Sequence, residues 1–191
     1  AKCEEKPLWK LVSDMTPEEL VSCIDFRYIS DVLNPEEAIK FLRGKALDKD
    51  KRTVKLLKDG YPAYTTSAGW LGYSDDKIRD LLESAVKSGW NHFKFKVGSN
   101  LEDDVRRLTI VREIIGPDRV LMIDANQVWD VNESIEWVNQ LSQFDPWFIE
   151  EPTSPDDIIG HLAIKNGVKP IKVATGEHCH NRVMFKQFFQ A

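Results

Sequence analysis

The sequence predicts an α/β fold, a partial (β/α) barrel of about five βα units preceded by a helical segment. From Tyr61 onward, short apolar runs alternate with longer stretches of helical periodicity. The later apolar runs each end in a charged residue, and these residues recur at almost equal intervals. Strands that alternate with helices of this length form parallel sheets with right-handed crossovers, either doubly wound or closed into a barrel.

The composition is that of a globular chain with a sizeable core. The 191 residues are 42% hydrophobic and include six Trp and nine Phe, which is enough apolar surface to bury. The net charge is −5, with 26 basic residues spread among 31 acidic ones, so we expect neither nucleic acid nor an anionic membrane as a partner. No apolar run approaches the roughly 18 residues of a membrane span.

The N-terminus and the cysteines bear on location. The chain begins at Ala1 without a Met and without the apolar stretch of a signal peptide, so we expect it to be cut from a longer protein or processed. Its three cysteines are far apart, which indicates reduced thiols in an intracellular compartment.

Residues 1–60 are predicted to form a helical domain. Thr16-Pro17 and Asn34-Pro35 each combine an N-cap residue with a proline at the first helical position, and acids follow in the first turn. Asp59-Gly60 is a turn signal, and we place the domain boundary there. No chemistry is indicated in this segment, because its basic residues are mixed with acids.

Residues 61–191 are predicted to form the first part of the barrel. The strands are expected at residues 62–67, 91–97, 119–124, 146–150 and 170–175. The helices are expected at residues 74–89, 101–115, 131–143, 155–166 and 180–190. Acids occupy several first turns, and glycines stand where helices should stop, which are the usual start and stop signals of helices.

The strand predicted at residues 91–97 carries two lysines on one face. Side chains at positions i and i+2 of a strand share a face, so Lys94 and Lys96 point away from the apolar residues that alternate with them. Burying two ammonium groups is costly unless anions meet them or a neutral lysine is useful. The alternative is an exposed edge strand whose lysines only prevent aggregation.

Three carboxylates close the apolar runs that follow. Asp124, Glu150 and Glu177 come at successive steps of 28, 26 and 27 residues, counted from Lys96. In a barrel the carboxyl ends of the strands surround one mouth, so the lysines and acids would converge there. Three carboxylates repel each other unless a cation lies among them, and an all-oxygen set suits Mg²⁺ better than Zn²⁺. The alternative is that each acid is a solvated loop residue or a helix cap.

Two further polar residues adjoin these acids. Asn126 shares the parity of Asp124 and extends the polar set as a candidate substrate ligand, although Asn after a strand is also a common turn former. Glu151 has the opposite parity to Glu150, so we leave it out of the metal ligands. We expect it to contact the ligand side chains without contacting the metal itself.

A divalent metal beside a lysine pair indicates removal of a proton next to a carboxylate. The metal would stabilise the charge that develops on the substrate, and a lysine can be the base. Lys96, nearer the strand end, is the better base, and Lys94 is placed to favour the neutral form of its neighbour and to meet a substrate oxygen. Phosphoryl transfer or hydrolysis is the alternative, although no Gly-rich phosphate loop or Ser/His nucleophile pattern occurs.

Four short stretches together resemble the enolase superfamily, in its mandelate racemase subgroup. They are Lys94-Phe95-Lys96, Asp124-Ala125-Asn126-Gln127, Ile149-Glu150-Glu151-Pro152 and Thr175-Gly176-Glu177. The resemblance implies that Asp124, Glu150 and Glu177 are Mg²⁺ ligands. It implies that Lys96 is the base and that Lys94 assists it. The implied activity is that of a sugar-acid dehydratase of the L-fuconate dehydratase type, and the alternative is a dehydratase or racemase for another aldonate or aldarate.

The resemblance also implies features of the whole protein. An N-terminal capping domain is expected, of which residues 1–60 would be a remnant, together with a modified eight-stranded barrel. We further expect a homo-oligomer located in the mitochondrion, with the cytoplasm as the alternative. In this family the acid that protonates the leaving hydroxyl is a His from a later strand, so we expect the present chain to be inactive alone.

Alternatives to this picture concern the histidines and the chain itself. His178 or His180 could line the mouth. A zinc site formed by His178, Cys179 and His180 is disfavoured, because adjacent ligands cannot easily surround one tetrahedral metal. A non-catalytic truncated form that acts by binding another protein is the function from a different class.

Overall fold

The computed structural model describes all 191 residues and divides them into two compact units, Ala1–Tyr61 and Pro62–Ala191. Both units contain helices, and the second contains the sheet. No helix in the chain is both long and apolar enough to cross a membrane.

The first unit is helical. Its helices are α1 (Leu8–Asp14), α2 (Pro17–Ser22), α3 (Pro35–Ala46) and α4 (Lys49–Asp59). Helices α2 and α3 begin at complete capping boxes, because the side chains of Thr16 and Asn34 accept a backbone hydrogen bond from a glutamate whose carboxylate accepts one in return. Both helix starts predicted from the sequence are therefore confirmed.

The second unit is built on four parallel strands in sequential order. The strands are β1 (His92–Lys96), β2 (Val120–Asp124), β3 (Phe148–Glu150) and β4 (Lys172–Ala174). The helices are α5 (Asp75–Lys87), α6 (Leu101–Ile115), α7 (Val131–Leu141), α8 (Ile158–Gly167) and α9 (Arg182–Gln190), and a 3₁₀ turn at Ser142–Phe144 follows α7. Each crossover moves one strand in the same direction, which is the layout of a (β/α) barrel and not of a doubly wound sheet. The predicted fold class is confirmed.

The first of the five predicted strands, residues 62–67, does not form. Thr65 makes only an isolated bridge to β1, and a turn that ends at Gly69 then interrupts the ladder. The segment still covers the outer edge of β1. The Lys94 N–H donates to the Thr65 carbonyl at 2.9 Å, and the Lys96 N–H donates to the Gly69 carbonyl at 2.8 Å. Hydrogen bonding to β1 is thus kept on both sides of the turn.

The core of the second unit lies between the sheet and its helices. The strands contribute buried residues at alternate positions: Phe93, Phe95, Leu121, Ile123 and Ile149. The helices contribute the facing side chains, among them Ile78, Leu82, Leu108, Val111, Val138 and Leu141. The opposite face of the sheet carries the charged residues of the same strands together with apolar ones such as the buried Met122, as the alternation of side chains requires.

Candidate active site

The charged residues predicted for the site lie at one level across three neighbouring strands. Lys96 pairs in register with Asp124, and Asp124 pairs with Glu150. The next position across the sheet is Ala174, at the end of β4. The carboxyl ends of the parallel strands therefore bring one lysine and two carboxylates side by side.

Two lysines and two carboxylates form a continuous cluster of ion pairs. Lys96 Nζ donates to Asp124 Oδ2 at 2.7 Å, and Lys94 Nζ lies 3.2 Å from the same oxygen. Lys94 Nζ also donates to Glu150 Oε2. All four side chains are 18% exposed or less, so the attraction between them acts in a medium of low dielectric.

Lys94 is the more deeply buried lysine of the pair. Burial by itself lowers the pKa of an ammonium group, but the hydrogen bonds to Glu150 and Tyr64 and the charge of Glu150 outweigh it and raise the pKa of Lys94 above its usual range. Lys94 therefore stays charged at neutral pH. It is suited to meeting negative charge and not to taking up a proton.

Asp124 uses both of its carboxylate oxygens. Oδ2 faces the two lysines, and Oδ1 accepts a hydrogen bond from the backbone N–H of Asn126 at 3.0 Å. Asn126 has a φ of 48°, in the left-handed region that Asn tolerates better than most residues. Asn126 is exposed, so its side chain is open to a ligand at the end of β2.

Glu177 does not lie with the other two predicted metal ligands. It is exposed in the turn after β4, beyond the level of Ala174. No group of three His, Cys, Asp or Glu side chains in the chain is arranged to hold a metal ion. The oxygen donors of Asp124 and Glu150 fit Mg²⁺ in their chemistry, but the ammonium groups of Lys94 and Lys96 together neutralise them in this arrangement.

A second polar cluster surrounds Glu151, which is buried. Gln127 Nε2 donates to Glu151 Oε2 at 3.1 Å. His178 Nδ1 lies 2.5 Å from Glu151 Oε1 and 2.9 Å from Gln127 Nε2, and the hydrogen bond to Glu151 raises the pKa of His178. Because His178 follows Glu177 directly, this cluster connects the turn after β4 to the ends of β2 and β3.

The alternation of side chains along strands did not identify Gln127 as a residue of the site. Both Gln127 and Glu151 have positive φ, 68° and 44°, and this backbone turns their side chains away from the alternation of the preceding strand. The sequence feature that could have identified Gln127 is its position three residues after Asp124, in the stretch Asp124-Ala125-Asn126-Gln127. The prediction that Glu151 contacts the metal ligands without binding the metal stays a prediction.

The four histidines have different surroundings. His178 contacts the site through Glu151, whereas His180 is exposed. His161 is buried in α8, where its Nδ1 lies 2.8 Å from the Asp157 carbonyl oxygen. His92 begins β1, at the end of the strand that is remote from Lys96. The disfavoured zinc site at residues 178–180 is not formed.

A buried ion pair within α6 holds the arginine that contacts the strand carrying the lysines. Arg107 and Asp104 are 1% and 0% exposed, and their closest nitrogen and oxygen lie 3.4 Å apart. Arg107 Nη1 donates to the Lys96 carbonyl at 2.8 Å. Its Nη2 donates to the carbonyls of Gly69 at 3.1 Å and Trp70 at 3.2 Å. The sequence indicated Asp104 only as a first-turn acid, because helix patterns do not show that its Oδ2 accepts hydrogen bonds from the Gly98 N–H and from Trp137 Nε1.

Comparison with known proteins identifies the family. Residues 77–191 match the family model described as Enolase C-terminal domain-like. The chain belongs to this family. Over 192 residues it is 59% identical to the L-galactonate dehydratase of Hypocrea jecorina, a match that covers 98% of this chain and 43% of that protein.

Solved structures of the enolase superfamily agree with this assignment. The crystal structure of human mitochondrial enolase superfamily member 1 has a TM-score of 0.96 and 56% identity, over 99% of this chain and 43% of that one. The L-talarate/galactarate dehydratase of Salmonella typhimurium LT2, solved with Mg and L-lyxarohydroxamate, has a TM-score of 0.62 and 35% identity over 66% of this chain and 32% of that one. The resemblance to the enolase superfamily is confirmed, and the chain spans less than half the length of these relatives.

Proposed function

We propose that this chain carries the base and the charged binding groups of a sugar-acid dehydratase, a carbon–oxygen lyase that removes water from its substrate. The observation that carries the proposal is the array of Lys96, Asp124 and Glu150 at one level, with Lys94 beside both carboxylates. Two relatives that are named as sugar-acid dehydratases support it.

The proposed reaction starts at the carbon next to the substrate carboxylate. Lys96, in its neutral form and released from Asp124, takes the proton from this carbon, because its side chain is nearer the strand end and less buried than that of Lys94. The ammonium of Lys94 meets a substrate oxygen on which negative charge develops. The C–O bond on the next carbon then breaks, the hydroxyl takes up a proton and leaves as water, and the resulting enol becomes a 2-keto-3-deoxy sugar acid. Asn126 is placed to bind a substrate hydroxyl.

Mg²⁺ is part of the proposal, with Asp124, Glu150 and Glu177 as the residues that would hold it. When bound, the ion supplies positive charge beside the substrate carboxylate. Such a site requires that Lys94 releases the carboxylates and that Glu177 approaches them. The talarate/galactarate dehydratase that was solved with Mg supports this choice of ion.

The proposed substrate is L-fuconate or a closely related aldonate. L-Fuconate is L-galactonate without the hydroxyl at carbon 6, so the two acids are identical at the carbons that react. The relative named L-galactonate dehydratase is therefore consistent with this expectation. Another aldonate or an aldarate is the alternative substrate, because aldarates are acted on by a more distant relative.

The experiment uses the longest form of the protein that contains residues 1–191, with Mg²⁺ and a panel of L-fuconate, L-galactonate and galactarate. Keto-acid formation is measured as the semicarbazone, and exchange of the α-hydrogen with deuterated water is measured by NMR. We expect keto acid from at least one aldonate and its loss on chelation of the metal. Neither keto acid nor exchange with any of these acids would contradict the proposal.

Three features of the whole protein belong to the same proposal. Residues 1–60 are assigned to a helical remnant of a capping domain with its linker, the protein is assigned as a homo-oligomer, and its location is assigned to the mitochondrion. The relative named mitochondrial enolase superfamily member 1, whose structure covers 99% of this chain, supports the first and third assignments. Light scattering of the longest form tests the oligomer.

A further inference from the structure

We propose that Tyr64 and Trp70 form an aromatic wall beside the two lysines, which stacks on the C–H face of the sugar acid. The inference rests on the proposed function and extends it to substrate recognition. It assigns these two aromatic side chains, which lie outside the predicted site, a direct contact with the substrate.

Each lysine of the site lies over one of these two rings. Lys94 Nζ is 4.7 Å from the centroid of the Tyr64 ring, and Lys96 Nζ is 5.9 Å from that of the Trp70 ring. Both distances fall within the range of cation–π attraction. The rings therefore border the charged groups that bind and deprotonate the substrate.

The backbone that carries Trp70 is held firmly against β1. A Cβ atom at Gly69 would lie 2.3 Å from the Lys94 carbonyl oxygen, so no side chain fits between this backbone and the strand. The carbonyls of Gly69 and Trp70 both accept hydrogen bonds from the buried Arg107. The backbone at Trp70 is thus fixed relative to β1, at the point where the indole begins.

The rings themselves are left open. Tyr64 is 45% exposed and Trp70 is 50% exposed, although large aromatic side chains are mostly buried in folded proteins. A firmly held segment that presents open aromatic faces beside buried charges has the composition of a ligand pocket, in which apolar walls surround a few polar groups.

A sugar acid is chemically complementary to such a wall. Its carboxylate and hydroxyls need charges and hydrogen bonds, which the lysines and Asn126 can supply. The C–H bonds along its carbon chain carry a slight positive charge and are attracted to the negative face of an aromatic ring. The wall therefore accounts for the part of the substrate that the charged residues leave uncovered.

The test compares Trp70→Ala with Trp147→Ala in the longest form of the protein. Trp147 is a matched control, because it is 48% exposed but precedes β3, at the opposite end of the strands from the lysine and carboxylate level. We expect Trp70→Ala to raise KM for the aldonate about tenfold with kcat changed less than about twofold. We expect Trp147→Ala to leave both constants unchanged and Trp70→Phe to retain most of the affinity.

A second measurement does not depend on turnover. The six tryptophans are labelled with 5-fluorotryptophan, the resonances of Trp70 and Trp147 are assigned from their Phe variants, and L-galactonate is added without Mg²⁺. We expect the Trp70 resonance to shift and the Trp147 resonance to stay in place. If the Trp70 resonance shifts but the wild type dehydrates none of the acids, the aromatic wall binds the sugar acid and the proposed function is wrong.

The opposite outcomes are also decisive. If the wild type dehydrates the acid while the Trp70 resonance is static and Trp70→Ala has an unchanged KM, the wall is wrong and the proposed function stands. If the wild type shows neither dehydration nor a shift of Trp70, both proposals are wrong.

Discussion

Lys94 and Lys96 share one face of β1 but differ in their surroundings. Lys94 contacts two carboxylates and has a raised pKa, whereas Lys96 contacts one carboxylate, and its side chain is 18% exposed compared with 6% for Lys94. Lys94 is a fixed positive charge, and Lys96 is the lysine that is more open to solvent. Residue alternation could not show this difference, because both lysines have the same parity.

Replacement of Lys96 tests its role as the base. We expect Lys96→Ala to abolish dehydration and also the exchange of the α-hydrogen with deuterated water, because Lys94, the other lysine on this face, is held in its charged form. Magnesium binding should be retained, since Lys96 is not among the proposed ligands and its removal leaves Asp124 with one competing ammonium fewer. NMR of the substrate in deuterated water measures the exchange. Retained exchange in the variant would show that another residue is the base.

The adjacent acids Glu150 and Glu151 differ in their expected effect on metal binding. Glu150→Gln removes a charged donor at the level of Asp124, and we expect it to weaken Mg²⁺ binding at least about tenfold more than Glu151→Gln does. The amide of Glu151→Gln can still accept a hydrogen bond from Gln127. Calorimetric titration with Mg²⁺ measures both affinities. Equal losses would mean that parity does not separate the two acids.

At the scale of elements, the regular parts of the barrel were predictable from the sequence. Helix α6 has the predicted bounds of 101–115, and four of the five strands lie within their predicted ranges. Hydrophobic periodicity and capping residues are local signals, so they locate such elements well. The strand expected at 62–67 fails because a turn and the close approach of Gly69 to β1 are tertiary features.

The loop after β4 shows why equal spacing along the chain is a weak guide to geometry. The steps between successive acids are nearly constant, but β4 ends at Ala174 and its register partner is Glu150. Glu177 therefore lies in the loop and not on the strand. The spacing between two acids is the sum of the strand, helix and loop lengths between them. A short strand with a long loop gives the same spacing as a long strand with a short loop.

The contact between His178 and Glu151 is expected to hold this loop. We predict that His178→Asn speeds backbone amide exchange in residues 175–180 about tenfold, because it removes the link to the end of β3. His180→Asn is the matched control, since His180 is exposed in the same segment, and its exchange rates should equal those of the wild type. Hydrogen exchange with mass spectrometry measures both. Identical rates in the two variants would show that the contact does not order the loop.

At the scale of the whole molecule, the sheet is far from closed. An eight-stranded barrel uses roughly 250 residues, and the second unit supplies four strands in sequential order. The outermost strand, β4, pairs with β3 alone. Edge strands with one free side favour association with other chains.

The 191-residue chain alone is therefore expected to associate and to show no turnover. An unpaired strand edge favours oligomers or aggregates. The acid for the leaving hydroxyl is expected on a later strand of the barrel, which the 191 residues do not include. Positioned acid catalysis contributes about 10² to 10⁴-fold, so its loss together with an unclosed barrel is expected to remove turnover. Gel filtration with light scattering and the keto-acid assay measure the two properties. A monodisperse monomer with clear turnover would contradict this prediction.

The ion-pair cluster of Lys94, Lys96, Asp124 and Glu150 has a formal charge of zero. Its positive and negative groups are counter-ions for one another within a single desolvated patch. A cation or a substrate that enters does not fill a charged vacancy but exchanges partners with groups that are already paired. Loading of the site is then an exchange reaction, whose free energy is the difference between two sets of ion pairs. The folded chain accordingly does not depend on a cation to relieve repulsion between its buried carboxylates.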